Sequence, residues 1–460
     1  MTLFDFEEKY KFLYSESVSD VSIYTCLRDN VSAILNGSFK TNQEVMQDEK
    51  GRIYPKRLID TFLRWRKYRD CKTVIFTSAV YRRDHGRNFN VEFLMKKYPD
   101  AVAFEWPSRN GMFDKAYFDD KADYVPLDAY ILLYKLYCFL HKKKMANLEE
   151  ECRIRLKKNF DRFTTESETE KDAIEYLMNT LPHSVVSTQF SQQIFKWLFR
   201  NYNNIEYAVD FWGSGRENII PVLQGKPKSI ELQHGIITPI HPGYIYPAFV
   251  KNIKSSLFER YILVFSEKEK KFLTQNSIYQ IDQIEVVGNP RIQMYKNSAK
   301  VNKKKKKWVL FTSQPYEQDY HGYSYYTEMI PYLKHIKKFI DRDGRFQLAI
   351  KLHPRENDTI KKRYEEEIPG VMVFGSSAQL YEIFSETYLH ITATSTTLFE
   401  ALEFDVPTVT VQFMDYNPIT IFGVKTLHLM CVEDIDTVLR CMYDNSYYNK
   451  YLLQLNSVTN

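Results

Sequence analysis

Short runs of consecutive apolar residues recur along the chain, and between them apolar residues return every three or four positions. The runs Thr73–Thr77 (TVIFT), Val102–Glu105 (VAFE), Tyr207–Phe211 (YAVDF), Ser229–Leu232 (SIEL), Tyr261–Phe265 (YILVF) and Ile284–Val287 (IEVV) each read as a strand. Apolar runs without polar alternation belong to strands buried on both faces, the habit of parallel sheets covered by helices. Segments 125–165 and 167–202 carry helical spacing, and shorter helices are predicted at 216–224 and 267–275. The alternation restarts at Trp308–Thr312 (WVLFT) and continues through Phe346–Leu352, Val371–Phe374, Leu389–Thr392 (LHIT) and Thr408–Val411. Helices are predicted between these strands at 325–341, 357–366, 378–385 and 397–404, with a last helical stretch at 432–455.

The pattern divides the chain into an α/β domain over 1–296 with helical insertions, a polar, lysine-rich linker at 297–307, a second α/β domain over 308–430 and a terminal helical segment at 431–460. Both domains are expected to be Rossmann-like βαβ units, with the terminal helix crossing back. No fixed-period repeat is visible.

Composition narrows the classes. At 460 residues, 44% hydrophobic and 26% charged, the chain is neither disordered nor collagenous, and two domains suit its length. Lys+Arg 63 against Asp+Glu 58 gives +5, too even for a dedicated nucleic-acid binder. Six cysteines are scattered without a CxxC, which argues against a disulfide framework and a zinc site. The N-terminus MTLFDFEEKYKF lacks the pattern of a secretory signal, and no apolar run of about 18 residues occurs, so a cytoplasmic protein is expected. The lysine run at 303–307 reads as a solvated linker, with attraction to an anionic lipid surface as its secondary reading.

Three segments carry candidate chemistry. In Glu231-Leu232-Gln233-His234-Gly235, a strand ends directly in Gln-His-Gly. Ligands of open parallel sheets sit beyond the carboxyl ends of strands, so His234 is placed where a general base is useful, and Gly235 would permit a tight, left-handed turn. A histidine bonded to a loop carbonyl is the bland reading; His241-Pro242-Gly243-Tyr244 is read mainly as loop structure. Lys351-Leu352-His353-Pro354-Arg355 gathers cationic side chains at a second strand end, a combination suited to phosphate, although Lys351 and Arg355 could equally be solvated loop charges. In Thr394-Ser395-Thr396-Thr397-Leu398-Phe399-Glu400, a hydroxyl-rich turn opens a helix and suits an anion. Thr397 and Glu400 have the spacing of a capping box, leaving Thr394, Ser395 and Thr396 as the better ligand contacts. No GxxxxGK[ST] and no GxGxxG after the early strands is present, which argues against a P-loop kinase and a dinucleotide oxidoreductase. The acidic pairs Asp119-Asp120 and Asp341/Asp343 read as solvated surface rather than metal ligands.

Taken in order, QHG at a strand end, GNPR (Gly288–Arg291), VLFTSQP, KLHP, TSTTLFEAL and a Pro407-containing strand resemble the GT-B glycosyltransferases of bacterial capsule and wall-polymer synthesis. The resembling families are the capsular polysaccharide transferases, the CDP-glycerol glycerophosphotransferases and the HP-motif sialyl- and Kdo-transferases. The resemblance covers about 205–415, and the first ~200 residues match only as a generic acceptor-side domain. It implies two Rossmann-like domains facing across a cleft, a nucleotide-sugar donor (cytidine type slightly favoured), and an oligosaccharide or lipid-linked glycan acceptor. It implies no metal cofactor, and peripheral contact with the inner membrane is the further expectation.

At matching positions the resemblance gives His234 as the catalytic or acceptor-activating histidine and His353 as the histidine on the donor phosphate. It gives Ser395 and Thr396 as phosphate contacts and Glu400 as a ribose-binding carboxylate. Lys351, Arg355, Thr394, Thr397, Gly288 and Arg291 complete the expected donor side. Gln233, Gly235, Asp84, Glu105 and Asp210 are the acceptor-side candidates, the three acids standing in for an acidic motif that has no clean match. Where the glycerophosphotransferases carry Asp-Tyr, this chain has Ala393-Thr394, which weakens polyol-phosphate transfer as the alternative. A catalytically silent glycan-binding subunit is the alternative from another class. The chain is rich in Tyr (34) and Phe (31), and of these aromatics together with its tryptophans, Tyr81, Phe89, Trp106 and Tyr244 are candidates for stacking on sugar rings.

Overall fold

The computed structural model describes residues 1–36, 55–82, 87–107, 124–211, 213, 215–235, 237, 239, 241–256, 260–298, 306–315, 325–393, 395–411, 429–430 and 435–459. Asp84, Thr394, Asp119-Asp120 and most of the expected linker lie outside the described residues. The chain forms two compact units, Met1–Gly288 and Asn289–Asn460. The helix Pro290–Ser298 therefore belongs with the second unit, although the sequence pattern put the cut after it.

The first unit begins with a short hairpin of β1 (Ser17–Val18) and β2 (Val21–Ser22). Its main sheet holds β3 (Thr73–Ser78), β4 (Ala101–Trp106), β5 (Tyr124–Pro126), β6 (Tyr207–Phe211), β7 (Lys228–Leu232), β8 (Tyr261–Val264) and β9 (Ile284–Val286). The strands lie in the order β5-β4-β3-β6-β7-β8-β9 and all pair in parallel. The chain winds outward from β3 one way and from β6 the other, so strand order reverses between them. One face packs Trp65, Phe76, Phe104, Phe195 and Phe199, and the other packs Val91, Leu94, Val209 and Leu232.

The second unit's sheet holds β10 (Trp308–Thr312), β11 (Gln347–Lys351), β12 (Met372–Phe374), β13 (Thr387–Thr392), β14 (Thr408–Val411) and β15 (Leu429–Met430). Their order is β12-β11-β10-β13-β14-β15, again all parallel, with the reversal between β10 and β13. The terminal helices Asp436–Tyr443 and Asn445–Thr459 pack on this unit: the Tyr451 hydroxyl donates to Thr408 O at 2.6 Å, and Tyr448 stacks on Tyr388.

Two local expectations change. The start of segment 125–165 is strand β5, followed by helices Asp128–Leu140 and Lys142–Phe160. Helix 216–224 does not form: only the short 3-10 turn Ile220–Val222 is present, because Pro221 supplies no N–H to an α-helical ladder. The long helix Glu168–Leu198 matches its pattern and keeps Pro182 in its interior.

Candidate functional site

In the first unit the site is built on the carboxyl ends of β6 and β7. These strands pair Asp210 with Glu231, two carboxylates in buried strand positions. Asp210 Oδ1 accepts the N–H of Gly215 at 2.5 Å. That turn demands glycine, since a Cβ on residue 215 would stand 2.2 Å from the Phe76 ring. Arg216, carried by the same turn, reaches Glu231 Oε2 at 3.4 Å. Glu231 Oε1 lies 3.0 Å from His234 Nδ1, and the Tyr244 hydroxyl lies 2.9 Å from the same nitrogen. The His234 backbone N–H also donates to that hydroxyl, at 3.3 Å.

Burial pushes the Glu231 carboxyl up, but hydrogen bonding from His234 and the charge of Arg216 outweigh it and hold the group below its usual value. An ionised carboxylate only accepts, so this network puts the imidazole proton on Nδ1 and makes Nε2 the basic nitrogen. Burial first, then the Glu231 charge, drives the Tyr244 phenol well above its ordinary range, so it stays protonated. Glu231 and the Tyr244 hydroxyl are the two groups bonded to His234 Nδ1; the sequence pattern points to neither contact, giving Glu231 as part of a strand and Tyr244 as loop structure and a sugar-stacking ring. A glutamate inside a buried strand was the available signal for the first.

The loop carrying Tyr244 is fixed from far away in sequence. Arg28, 1% exposed, forms a two-pronged pair with Glu7 (2.6 and 2.9 Å), donates to Pro242 O and to Ile245 O, and lies over the Tyr246 ring. His241 accepts the N–H of Gly243 at 3.0 Å and shapes its own loop.

The other acceptor-side candidates have structural partners. Gln233 is fully buried; its carbonyl oxygen accepts the N–H of Phe265 and its amide donates to Gly235 O and Glu269. Gly235 is not in a left-handed conformation and has open space where a Cβ would stand, so its backbone does not call for glycine. Glu105 pairs with buried Arg82 at 2.6 Å. Phe89 and Tyr244 are buried, Tyr81 packs on Phe211, and Trp106 packs on Tyr130 and Phe195.

In the second unit, cationic and hydroxyl groups collect at the carboxyl ends of β10, β11 and β13. Glu356, 3% exposed, ties the β11 loop together: its carboxylate accepts the His353 N–H at 2.6 Å and the Ser313 hydroxyl at 2.8 Å. His353 Nδ1 accepts the Arg355 N–H at 3.1 Å, so in the neutral ring the proton sits on Nε2. Lys351 is buried and donates to Leu352 O and Ser376 O. Burial, with the Arg291 charge adding to it against Glu356, brings its amine down to about 8. Arg291 lies over the Tyr381 ring, and Gly288 has a left-handed φ of +75° that explains its glycine.

The turn before helix Thr397–Leu402 differs from the capping box expected there. Thr396 stands at the N-cap without a side-chain bond, while the Thr397 hydroxyl lies 3.3 Å from that of Thr312. The interior draws that hydroxyl inward: Thr312 also meets His390 Nε2 at 3.0 Å and Thr392 at 2.9 Å, and His390 Nδ1 meets Thr408 at 2.9 Å. Full burial brings the His390 ring down to about 3, so it stays neutral in a hydroxyl cage, another feature the motif reading did not single out. Ser395 and Glu400 are half-buried, Thr396 and Arg355 exposed. Among the described residues no cluster of three His, Cys, Asp or Glu side chains is arranged to hold a metal, and no helix is long and apolar enough to cross a membrane.

Two α/β units, each a parallel sheet with its polar residues gathered at strand carboxyl ends, define the GT-B fold class. No protein-family profile matches the chain, and no curated protein matches it. Among solved structures, the chain is similar to the putative UDP-N-acetylglucosamine 2-epimerase from Listeria monocytogenes, with 11% identity and a TM-score of 0.50 over 83% of this chain and 91% of that one. It is similar to UDP-GlcNAc 2-epimerase from Neisseria meningitidis bound to UDP-GlcNAc (13%, TM-score 0.47, 83% and 93%). A third similar structure is the wall teichoic acid polymerase TagF (10%, TM-score 0.46, 88% and 90%). At these identities the likeness concerns the fold alone.

Proposed function

We propose that the protein is a glycosyltransferase that moves a sugar from a nucleotide-activated donor, cytidine type favoured, to a bacterial surface glycan. The observation that carries this reading is the Glu231–His234 pair, a buried carboxylate bonded to the Nδ1 side of a histidine at a strand end. His234 Nε2 takes the proton of an acceptor hydroxyl, the oxygen forms a bond to the anomeric carbon, and the bond from that carbon to the donor phosphate breaks. The nucleotide leaves with the bonding electron pair. The second unit, taken by itself, offers His353 Nε2–H, Arg355, the charge of Lys351 and the Ser395–Thr397 turn as groups suited to a donor phosphate, without a metal cofactor.

The test is a panel of CMP-, CDP-, UDP- and GDP-sugars with surface-glycan acceptors, read as nucleotide release and glycan extension. Extension with one nucleotide class, lost in His353→Ala with the fold intact, supports the reading. Transfer of a polyol phosphate, change of the donor sugar without an acceptor, or no nucleotide binding at all overturns it.

A further inference from the structure

The helix Asp128–Leu140 (DAYILLYKLYCFL) is apolar on nearly every side, a composition that belongs to a buried helix. Among the described residues, one side is covered by an aromatic cluster: Tyr130 stacks on Phe195, and Tyr134 and Tyr137 pack with Met145, Val186 and Phe190. The opposite stripe is open, with Leu132 39%, Leu136 56%, Phe139 77% and Leu140 66% exposed. These residues recur at i, i+4, i+7 and i+8 and form one continuous face. The neighbouring helix Pro55–Lys67, which packs against this one, exposes Ile59, Phe62 and Leu63 as well. Apolar stripes of this kind mark an interaction surface rather than ordinary scatter.

Charge selects the partner. Lys135 stands on the open stripe, and Lys142, Lys143 and Lys144 follow directly at the start of helix Lys142–Phe160, all exposed. From Ala129 to Leu148 the sequence holds no acidic residue. Leu140, His141, Lys143 and Lys144 border an open depression of about 510 Å³, in whose lining Glu151 is the acid. Bulky apolar side chains beside a cluster of lysines complement a surface that is apolar below and anionic at its rim, and the absence of acids from Ala129 to Leu148 removes any charge that would repel it.

We propose that this face docks the first unit on an anionic lipid surface, with Phe139 and Leu140 entering the acyl boundary and Lys142–Lys144 lying among the headgroups. The proposal does not depend on the transferase reading and is tested without any sugar donor. Full-length protein is floated with phosphatidylcholine vesicles and with mixed phosphatidylcholine–phosphatidylglycerol vesicles at low and high salt. The expected result is binding to the anionic vesicles alone, weakened by salt, and weakened at least roughly tenfold by Phe139→Ser/Leu140→Ser and by Lys142→Glu/Lys143→Glu/Lys144→Glu. The charge-reversal variant alters only exposed side chains and keeps the test open where the apolar variant misfolds. Equal binding to both vesicle types, absence of binding, or binding unchanged by the charge reversal overturns the proposal. A concentration-dependent dimer in sedimentation velocity that Phe139→Ser/Leu140→Ser abolishes also overturns it and assigns the face to a second copy.

Discussion

His234 follows β7 and turns its Nδ1 toward a carboxylate that is 1% exposed, whereas His353 follows β11 and turns its Nδ1 toward a backbone N–H. The same residue type, at equivalent ends of two parallel sheets, is thereby polarised in opposite senses. A carboxylate draws the proton to Nδ1 and leaves Nε2 basic; an amide donor occupies Nδ1 and leaves the proton on Nε2. The first arrangement leaves a ring nitrogen suited to taking a proton from a hydroxyl, and the second leaves an N–H suited to bonding an anion. What a strand-end histidine does is thus set by the partner on its inner nitrogen.

The sharpest way to break this contrast is His234→Ala. Turnover should fall by roughly 10² to 10⁴ while nucleotide affinity changes little. A variant that loses affinity and keeps turnover would give the two histidines the same role.

Next in size is the brace behind the first site. Arg28→Ala strands Glu7 in the interior and should cost about 3–5 kcal/mol, measured as the loss in denaturant unfolding free energy of the first unit. Retention of stability would mean that the loop at 241–246 is held by something other than the Glu7–Arg28 pair.

In the second unit, His390 supplies a pH signature. Its folded-state ring is held down to about 3, while an unfolded ring takes its proton near 6.5. Stability is therefore whole above about 6.5 and is lost as pH falls toward 3, by about 2 kcal/mol at pH 5. His390→Gln removes that slope, so comparing unfolding of the two proteins at pH 7 and pH 5 isolates it; parallel losses would place the acid sensitivity elsewhere.

The smallest expected effect is at Lys351. Its amine is held down to about 8, so the charge it offers a nucleotide fades as pH rises through that value. Nucleotide affinity should fall roughly tenfold between pH 7 and pH 9.5, the size of one charged hydrogen bond, and stay level in Lys351→Arg. Titration calorimetry at the two pH values decides it.

The sheets were legible because buried parallel strands are written as continuous apolar runs: Trp308–Thr312 and Thr408–Val411 appear with the bounds the pattern predicts. The helix expected at 216–224 misled because its spacing outweighed Pro221. Site histidines stood out as motif residues, but their polarity did not, since it depends on contacts across distance. Arg28 and Pro242 are separated by 214 positions, and no local pattern joins them. Thr397 illustrates the opposite error: capping-box spacing was clear, but the Thr312 hydroxyl draws the side chain inward.

The position of the division after Gly288 bears on how this chain could be recombined. A joint made in the lysine-rich stretch would leave helix Pro290–Ser298 on the wrong fragment. It would sever the Tyr295–Gln379 hydrogen bond and lift Arg291 from the Tyr381 ring. A joint at Gly288 keeps both, and falls where a left-handed glycine already turns the backbone between one fold and the next. A joint at that residue leaves the packing inside each unit intact, and one in the polar stretch that advertises itself as the seam does not.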